Sequence, residues 1–218
     1  MTAPAAAAAM VGRPTRGDGG RAAIDVSGLA PGGFGHRSLM WWGTLGIVFI
    51  EGTAFALTIA AYFYLRTRNA QWPPDAVAPP ALFWGTLNVA IQLASGIPNH
   101  LAKKAAEHVD LRRVRLWLVV QLVFGVAFNA VRAVEFLNLN VLWNTDAYGS
   151  VVWLLLSLHT THILTDFLDT AVLAALMFFG PIEEKRFVDV EENAVYWYFV
   201  VAAWVPIYGV IYWAPRLI

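Results

Sequence analysis

Apolar residues along this chain gather in five long runs, each nearly continuous, with short polar segments between them. A bilayer's hydrocarbon core, about 30 Å thick, is crossed by about 20 predominantly apolar residues in helical form. The first run extends from Leu39 to Leu65 and contains one charged residue, Glu51. The second runs from Ala81 to about Leu101, and the third from Leu116 to Leu137 with Arg132 and Glu135 near its end. The fourth spans Val151 to Phe179, and the fifth Ala194 to Trp213 with Pro206 inside it. Such a proline is tolerated in a membrane helix where neighbours satisfy the freed carbonyl. The prolines of RTRNAQWPPDAVAPP break the chain after the first run. The charged stretch KKAAEHVDLRRVR follows the second, NLNVLWNTDAYGS the third, and the polar loop PIEEKRFVDVEEN the fourth. The pattern predicts an all-α fold, a polytopic bundle of five transmembrane helices. No internal repeat is visible.

Residues 1–37 read differently. They are rich in Ala, Gly, Pro and Arg, and the apolar run Ala5 to Ala9 is too short for a signal-peptide core. Asp18 and Asp25 argue against a transit peptide. The expectation is a disordered tail over 1–37 and one membrane domain over 38–218.

Composition agrees with the runs. Hydrophobic residues make up 58% and charged residues 14%, against about 25% charged in soluble domains. Ten Trp suit rings placed at membrane–water interfaces. A formal net charge of zero gives no footprint for nucleic acid, and the lack of Cys excludes disulfides, thiolate metal sites and Cys nucleophiles.

Lys and Arg placement sets the orientation, because cytoplasmic loops carry their excess. Five spans put Arg13, Arg16, Arg21, Arg37, Lys103, Lys104, Arg112, Arg113, Arg115, Lys185 and Arg186 on one side, and Arg66, Arg68 and Arg216 on the other. Eleven against three predicts a cytoplasmic N-terminus.

A charged side chain at the centre of a membrane helix costs about 2.5–3.5 kcal/mol or more, so each one retained there is a functional candidate. Glu51, Arg132, Glu135, His159, His162, Asp166 and Asp169 qualify. The last four stand at i, i+3, i+7 and i+10 and line one helix face, with Thr161 and Thr165 close to it. Glu51 and His162 lie near the middle of their spans and could meet. Arg132 and Glu135 lie nearer the outer surface, at a spacing that allows a local ion pair. Three chemistries remain open: hydrogen-bond glue or lipid contact, proton handling, and a metal site in which His159 and His162 join the aspartates.

Taken in order, five segments resemble subunit III of the haem–copper terminal oxidases, the cytochrome c oxidase family. WGTLGIVFIEGTAFAL resembles the family's helix with an intramembrane glutamate, here Glu51. ALFWGTLNVAIQLASGIPNHLAKKA is similar to its next helix at Leu87, Asn88, Ser95 and Gly96. FGVAFNAVRAVEF matches at Gly125, Phe128 and Glu135, and AYGSVVWLLLSLHTTHI at Tyr148, Gly149, Ser150, His159 and His162. VEENAVYWYFVVAAWVPIYGVIYW matches at Glu191, Tyr196, Trp197, Phe199, Trp204 and Tyr208. The resemblance covers residues 39 to 213. There are departures: Tyr198 replaces the family's His, Val201 its Asp, Thr160 its Gly and Arg132 its Gln. Asp166 and Asp169 have no counterpart in the pattern.

The resemblance implies a non-catalytic subunit of a bacterial inner-membrane oxidase, binding beside subunit I with subunit II in the same complex. The five spans look like the last five of the family's seven-span form, in which a cleft holds phospholipid. Haem and copper would sit in the partner subunits, with none on this chain. The implied role is to stabilise subunit I and sustain its proton uptake. The intramembrane cluster would then be Glu51, Asn88, Arg132, Glu135, His159, His162, Asp166 and Asp169. Other readings stay open: a partner that is a quinol oxidase or nitric oxide reductase, a small membrane metalloenzyme using His159, His162, Asp166 and Asp169, or a proton-coupled carrier, for which two repeats would be expected.

Overall fold

A computed structural model describes residues 15–16, 22–23, 33–74 and 77–217. Most of the expected tail lies outside these residues. Within it, Thr15–Arg16 and Ala22–Ala23 pair as two antiparallel two-residue strands. The rest of the described structure is helical or connecting.

Five helices form the bundle: α1 (Leu39–Arg68), α2 (Leu82–Glu107), α3 (Leu111–Leu137), α4 (Ala147–Phe179) and α5 (Glu184–Tyr208). The chain continues from α5 without a break through a π-helical stretch, Gly209–Trp213, into α6 (Ala214–Leu217). Starts follow cap chemistry. Ser38 Oγ accepts from the Met40 N–H, Asp110 Oδ1 from Arg113 N–H, and Asp146 Oδ1 from Gly149 N–H, so each fills a donor that a first helical turn leaves free. Stops follow backbone chemistry: prolines after α1, and Gly180-Pro181 after α4.

The helices outrun the apolar runs that predict them. α5 begins at Glu184, ten residues before the expected Ala194, so most of the expected loop PIEEKRFVDVEEN is helix. The reason is a buried stripe. Phe187, Val190 and Ala194 recur at helical spacing, and Phe187 and Val190 pack on Ala102, Ala106, Val114 and Met177. α3 likewise begins at Leu111, before the expected Leu116.

Four helices are long and apolar enough to cross a membrane: α1, α3, α4 and the continuous Glu184–Leu217. The expected second span does not meet that standard. α2 is about 39 Å long, but it buries Asn88, Gln92, Ser95 and Asn99 against its neighbours and carries His100, Lys103 and Lys104 beyond them. Its polar face looks inward, where hydropathy cannot distinguish it from a wet one.

Two sets of contacts fix the ends. At one end Lys103, late in α2, meets Glu191, early in α5, at 2.8 Å, and Glu191 also accepts from the Gly35 N–H at 3.0 Å. At the other, Arg216 Nη2 donates to the Pro80 carbonyl at 2.7 Å. α2 therefore runs the length of the bundle beside α5. α1 is the loosely held helix. It buries only Phe55 and Tyr62, while Trp42, Phe49, Ile50 and Leu57 face outward.

Candidate functional site

The eight candidate residues fall into two sets. The first is sealed inside the bundle. Arg132 and Glu135, each 1% exposed, pair at 3.1 Å between Nη1 and Oε2, as their spacing predicts. Glu135 is held from two other helical segments as well as by its own. Asn88 Nδ2 of α2 donates to Oε2 at 3.0 Å, and the Tyr212 hydroxyl, from the π-helical stretch, donates to Oε1. Gln92 Nε2 in turn donates to Asn88 Oδ1 at 3.0 Å. Arg132 reaches the other way, to α4 and α5. Its Nη2 lies 3.2 Å from His159 Nδ1, and its guanidinium lies 4.0 Å from the centre of the Trp204 ring. His159 stacks on the same ring at 4.7 Å.

The hydrogen bonds fix the state of His159. A guanidinium has no lone pair, so Nδ1 must accept. Nε2 therefore carries the hydrogen and donates to the Val200 carbonyl at 3.0 Å. The imidazole is neutral with both nitrogens committed. One cation, one anion and one neutral ring thus face one another in the interior, and pairing of this kind offsets part of the cost of burying charge.

The second set opens on the bundle's flank. Glu51 of α1 lies 3.6 Å from His162 Nε2 of α4 and accepts from the Tyr196 hydroxyl of α5 at 2.8 Å. Phe55 packs on the His162 ring with centroids 4.8 Å apart. A cleft of about 460 Å³ between α1, α4 and α5 is lined by Glu51, Asp166, Asp169, Asn193 and Tyr196, with Arg186 and Asp189 nearer its mouth. Asp169 Oδ2 accepts from Asn193 Nδ2 at 3.1 Å. Asp166 is 3% exposed, and its Oδ1 has no partner.

The stripe on α4 is therefore divided. His159 belongs to the sealed set, His162 to the contact with Glu51, and Asp166 and Asp169 to the cleft. Thr161 faces outward and Thr165 lines the cleft, and both bond to their own helix. Among the described residues no three His, Asp or Glu side chains stand together in a way that could hold a metal ion. Both His159 nitrogens are already used, so a metal centre built on the whole stripe does not fit this geometry. Tyr212, Gln92 and Asn193 were missed as site residues, since nothing in their local pattern marks them. Tyr196 and Trp204 carried a signal, as matched positions of the fifth segment.

One further ionic site lies at the end of α2. Lys103 lies 2.6 Å from Glu107 as well as 2.8 Å from Glu191. Burial works to lower the Lys103 ammonium, but the hydrogen bonds and charges of the two carboxylates outweigh it and hold it above the usual lysine range.

Comparison with known proteins gives the same picture from another side. The family model described as "Cytochrome c oxidase subunit III" matches residues 37–215. "Cytochrome c oxidase subunit 3" of Thermostichus vulcanus is 24% identical over 185 residues, covering 83% of this chain and 90% of that one. "Probable cytochrome c oxidase subunit 3" of Mycobacterium bovis is 29% identical over 180 residues, 78% of this chain and 85% of that one. "Cytochrome c oxidase subunit 3" of Pongo pygmaeus is 27% identical over 173 residues, 78% of this chain and 66% of that one.

Proposed function

This chain belongs to the cytochrome c oxidase subunit III family, and from that premise we propose that it steadies subunit I of a haem–copper oxidase and sustains its proton uptake. In this reading it has five spans, α2 included, with its N-terminus in the cytoplasm of a bacterium. Subunits I and II are its partners. Phospholipid is its structural ligand, and haem and copper belong to the partners.

The observation that carries the reading is the burial of the sealed set. Arg132, Glu135 and His159 face one another, with Asn88 and Tyr212, inside the bundle, where Arg132 and Glu135 are each 1% exposed and Arg132 Nε has no hydrogen-bond partner. Buried networks of this kind bolt helices together rather than perform chemistry. The outward apolar face of α1 offers a surface for lipid or a partner subunit. The Lys and Arg asymmetry supports the orientation, as does the gathering of the α1 start, the α2 end and the α5 start at one end of the bundle.

The test is to purify the oxidase from cells lacking this chain. Oxygen reduction with slowed proton uptake, restored by adding the chain back, is the expected result. Unchanged proton uptake would refute the role.

A further inference from the structure

We propose that the cleft between α1, α4 and α5 binds a primary ammonium group at the carboxylates of Asp166 and Asp169. The donors named in the cleft are aimed elsewhere. The Tyr196 hydroxyl is given to Glu51, the Asn193 amide to Asp169, and the Thr165 hydroxyl to backbone carbonyls of α4. Arg186, the cation among the residues lining the cleft, pairs with Asp189 at 3.3 Å through Nη1, and its buried Nε bonds to nothing, Asp166 included. No donor reaches Asp166 Oδ1, which is buried in the cleft wall without a partner. An unsatisfied buried acceptor costs about 1–3 kcal/mol and more if charged.

A partner for that oxygen brings N–H or O–H donors, and a cation would also meet the neighbouring carboxylate of Asp169. A small metal ion does not suit, because no three acidic or His groups converge among the described residues. A primary ammonium does, since its three donors can be shared by acceptors on different helices. Depth also fits a membrane ligand. Asp169 and Asp166 lie about 15 and 20 Å from the end of α4, by the rise of a helix. α4 is about 50 Å long and overhangs a hydrocarbon core of about 30 Å by about 10 Å at each side. The two carboxylates then sit about 5–10 Å below the headgroup boundary, within reach of a headgroup drawn into the cleft.

The ammonium can come from an aminophospholipid or from a soluble amine. The proposal rests on the chain's lying in a bilayer, as proposed above, and not on any oxidase partner, so its failure leaves that reading untouched. The test uses the full chain in phosphatidylcholine nanodiscs supplemented with phosphatidylethanolamine. The two headgroups carry the same amine charge, but choline has no N–H. Native mass spectrometry is expected to show phosphatidylethanolamine retained about tenfold over phosphatidylcholine, as charge-assisted hydrogen bonds require. The preference should vanish in Asp166→Asn/Asp169→Asn. If that variant does not fold, the wild-type preference and the exposed single change Asp169→Asn carry the test. Displacement of the retained lipid by millimolar ethanolamine, with a raised unfolding temperature, would support the site and assign it to soluble amines. No displacement would assign it to the lipid. Equal retention of both lipids with no effect of ethanolamine, or a preference that survives the double variant, would overturn the proposal and leave protons as the occupants.

Discussion

His162 Nε2 faces Glu51 Oε1 at 3.6 Å while its other nitrogen, Nδ1, lies 2.6 Å from the Leu158 carbonyl. The carbonyl can only accept, so Nδ1 carries a hydrogen. At 3.6 Å the Nε2 contact is too long for a hydrogen bond. α1 thus meets α4 at mid-membrane through a polar contact, braced by Phe55.

Replacing Glu51 by Gln should weaken the polar contact between α1 and α4 and leave the fold. α1 buries little else, so the loss is expected at about 0.6–2 kcal/mol, the range for intramembrane polar contacts. Thermal unfolding in mild detergent checks the stability. Infrared spectroscopy checks the chemistry, with one carboxyl band lost in Glu51→Gln. A chain that no longer folds would show that the contact is structural.

The Arg132–Glu135 pair should behave as a unit. Arg132→Met leaves Glu135 buried without its counter-charge, and a loss of about 3–5 kcal/mol is expected. Glu135→Leu should do the same to Arg132. The double variant should recover most of that loss. Unfolding of all four forms completes the cycle, and additive losses would contradict a closed pair.

Gly85→Ala tests how α2 meets the end of α5. A Cβ at Gly85 would lie 2.5–2.9 Å from ring atoms of Tyr212. Tyr212 is fully buried and gives its hydroxyl to Glu135, so the ring has little room to retreat. A loss of about 1–3 kcal/mol is expected from overpacking. Gly96, with nothing near its Cβ position, is the control, and Gly96→Ala should leave stability unchanged or slightly improved.

The Lys103 ammonium, held above its ordinary value of 10.5 by Glu107 and Glu191, gives an alkaline limb to stability. A raised folded-state value means that its contribution is fully present below about pH 10.5. It is lost as pH rises through the higher folded value. Lys103→Met should flatten the fall in unfolding temperature above pH 10 and change nothing near pH 7 beyond a constant offset. An unchanged alkaline limb would show that the ion cluster is not coupled to folding.

Much of this arrangement was legible in the sequence because it is local. Long apolar runs require helices in lipid, and the three-residue spacing of Arg132 and Glu135 makes their side chains neighbours. The meeting of Glu51 and His162 was legible from depth alone, since both lie near mid-span. What was not legible depends on which helices touch. The polar residues of α2 bond to one another, to α3 and to α5 rather than to water, so composition alone understates that helix. The four-residue stripe on α4 lines one face by spacing, yet it borders two neighbours: His159 faces Arg132 and Val200, and Asp166 faces the cleft beside Tyr196. Tyr212 reaches Glu135 from the π-helical stretch, and no sequence rule marks where such a stretch begins.

The chain belongs to the cytochrome c oxidase subunit III family, and its place in a haem–copper oxidase is what we propose. The most direct measurement is to tag the chain in its native membrane, extract it in mild detergent, and record the visible spectrum and subunit composition of what travels with it. Haem absorbance in constant ratio to the tagged chain, together with a large subunit I, is the predicted result. A homogeneous chain that never carries haem, from membranes in which the oxidase itself survives extraction, would contradict the account.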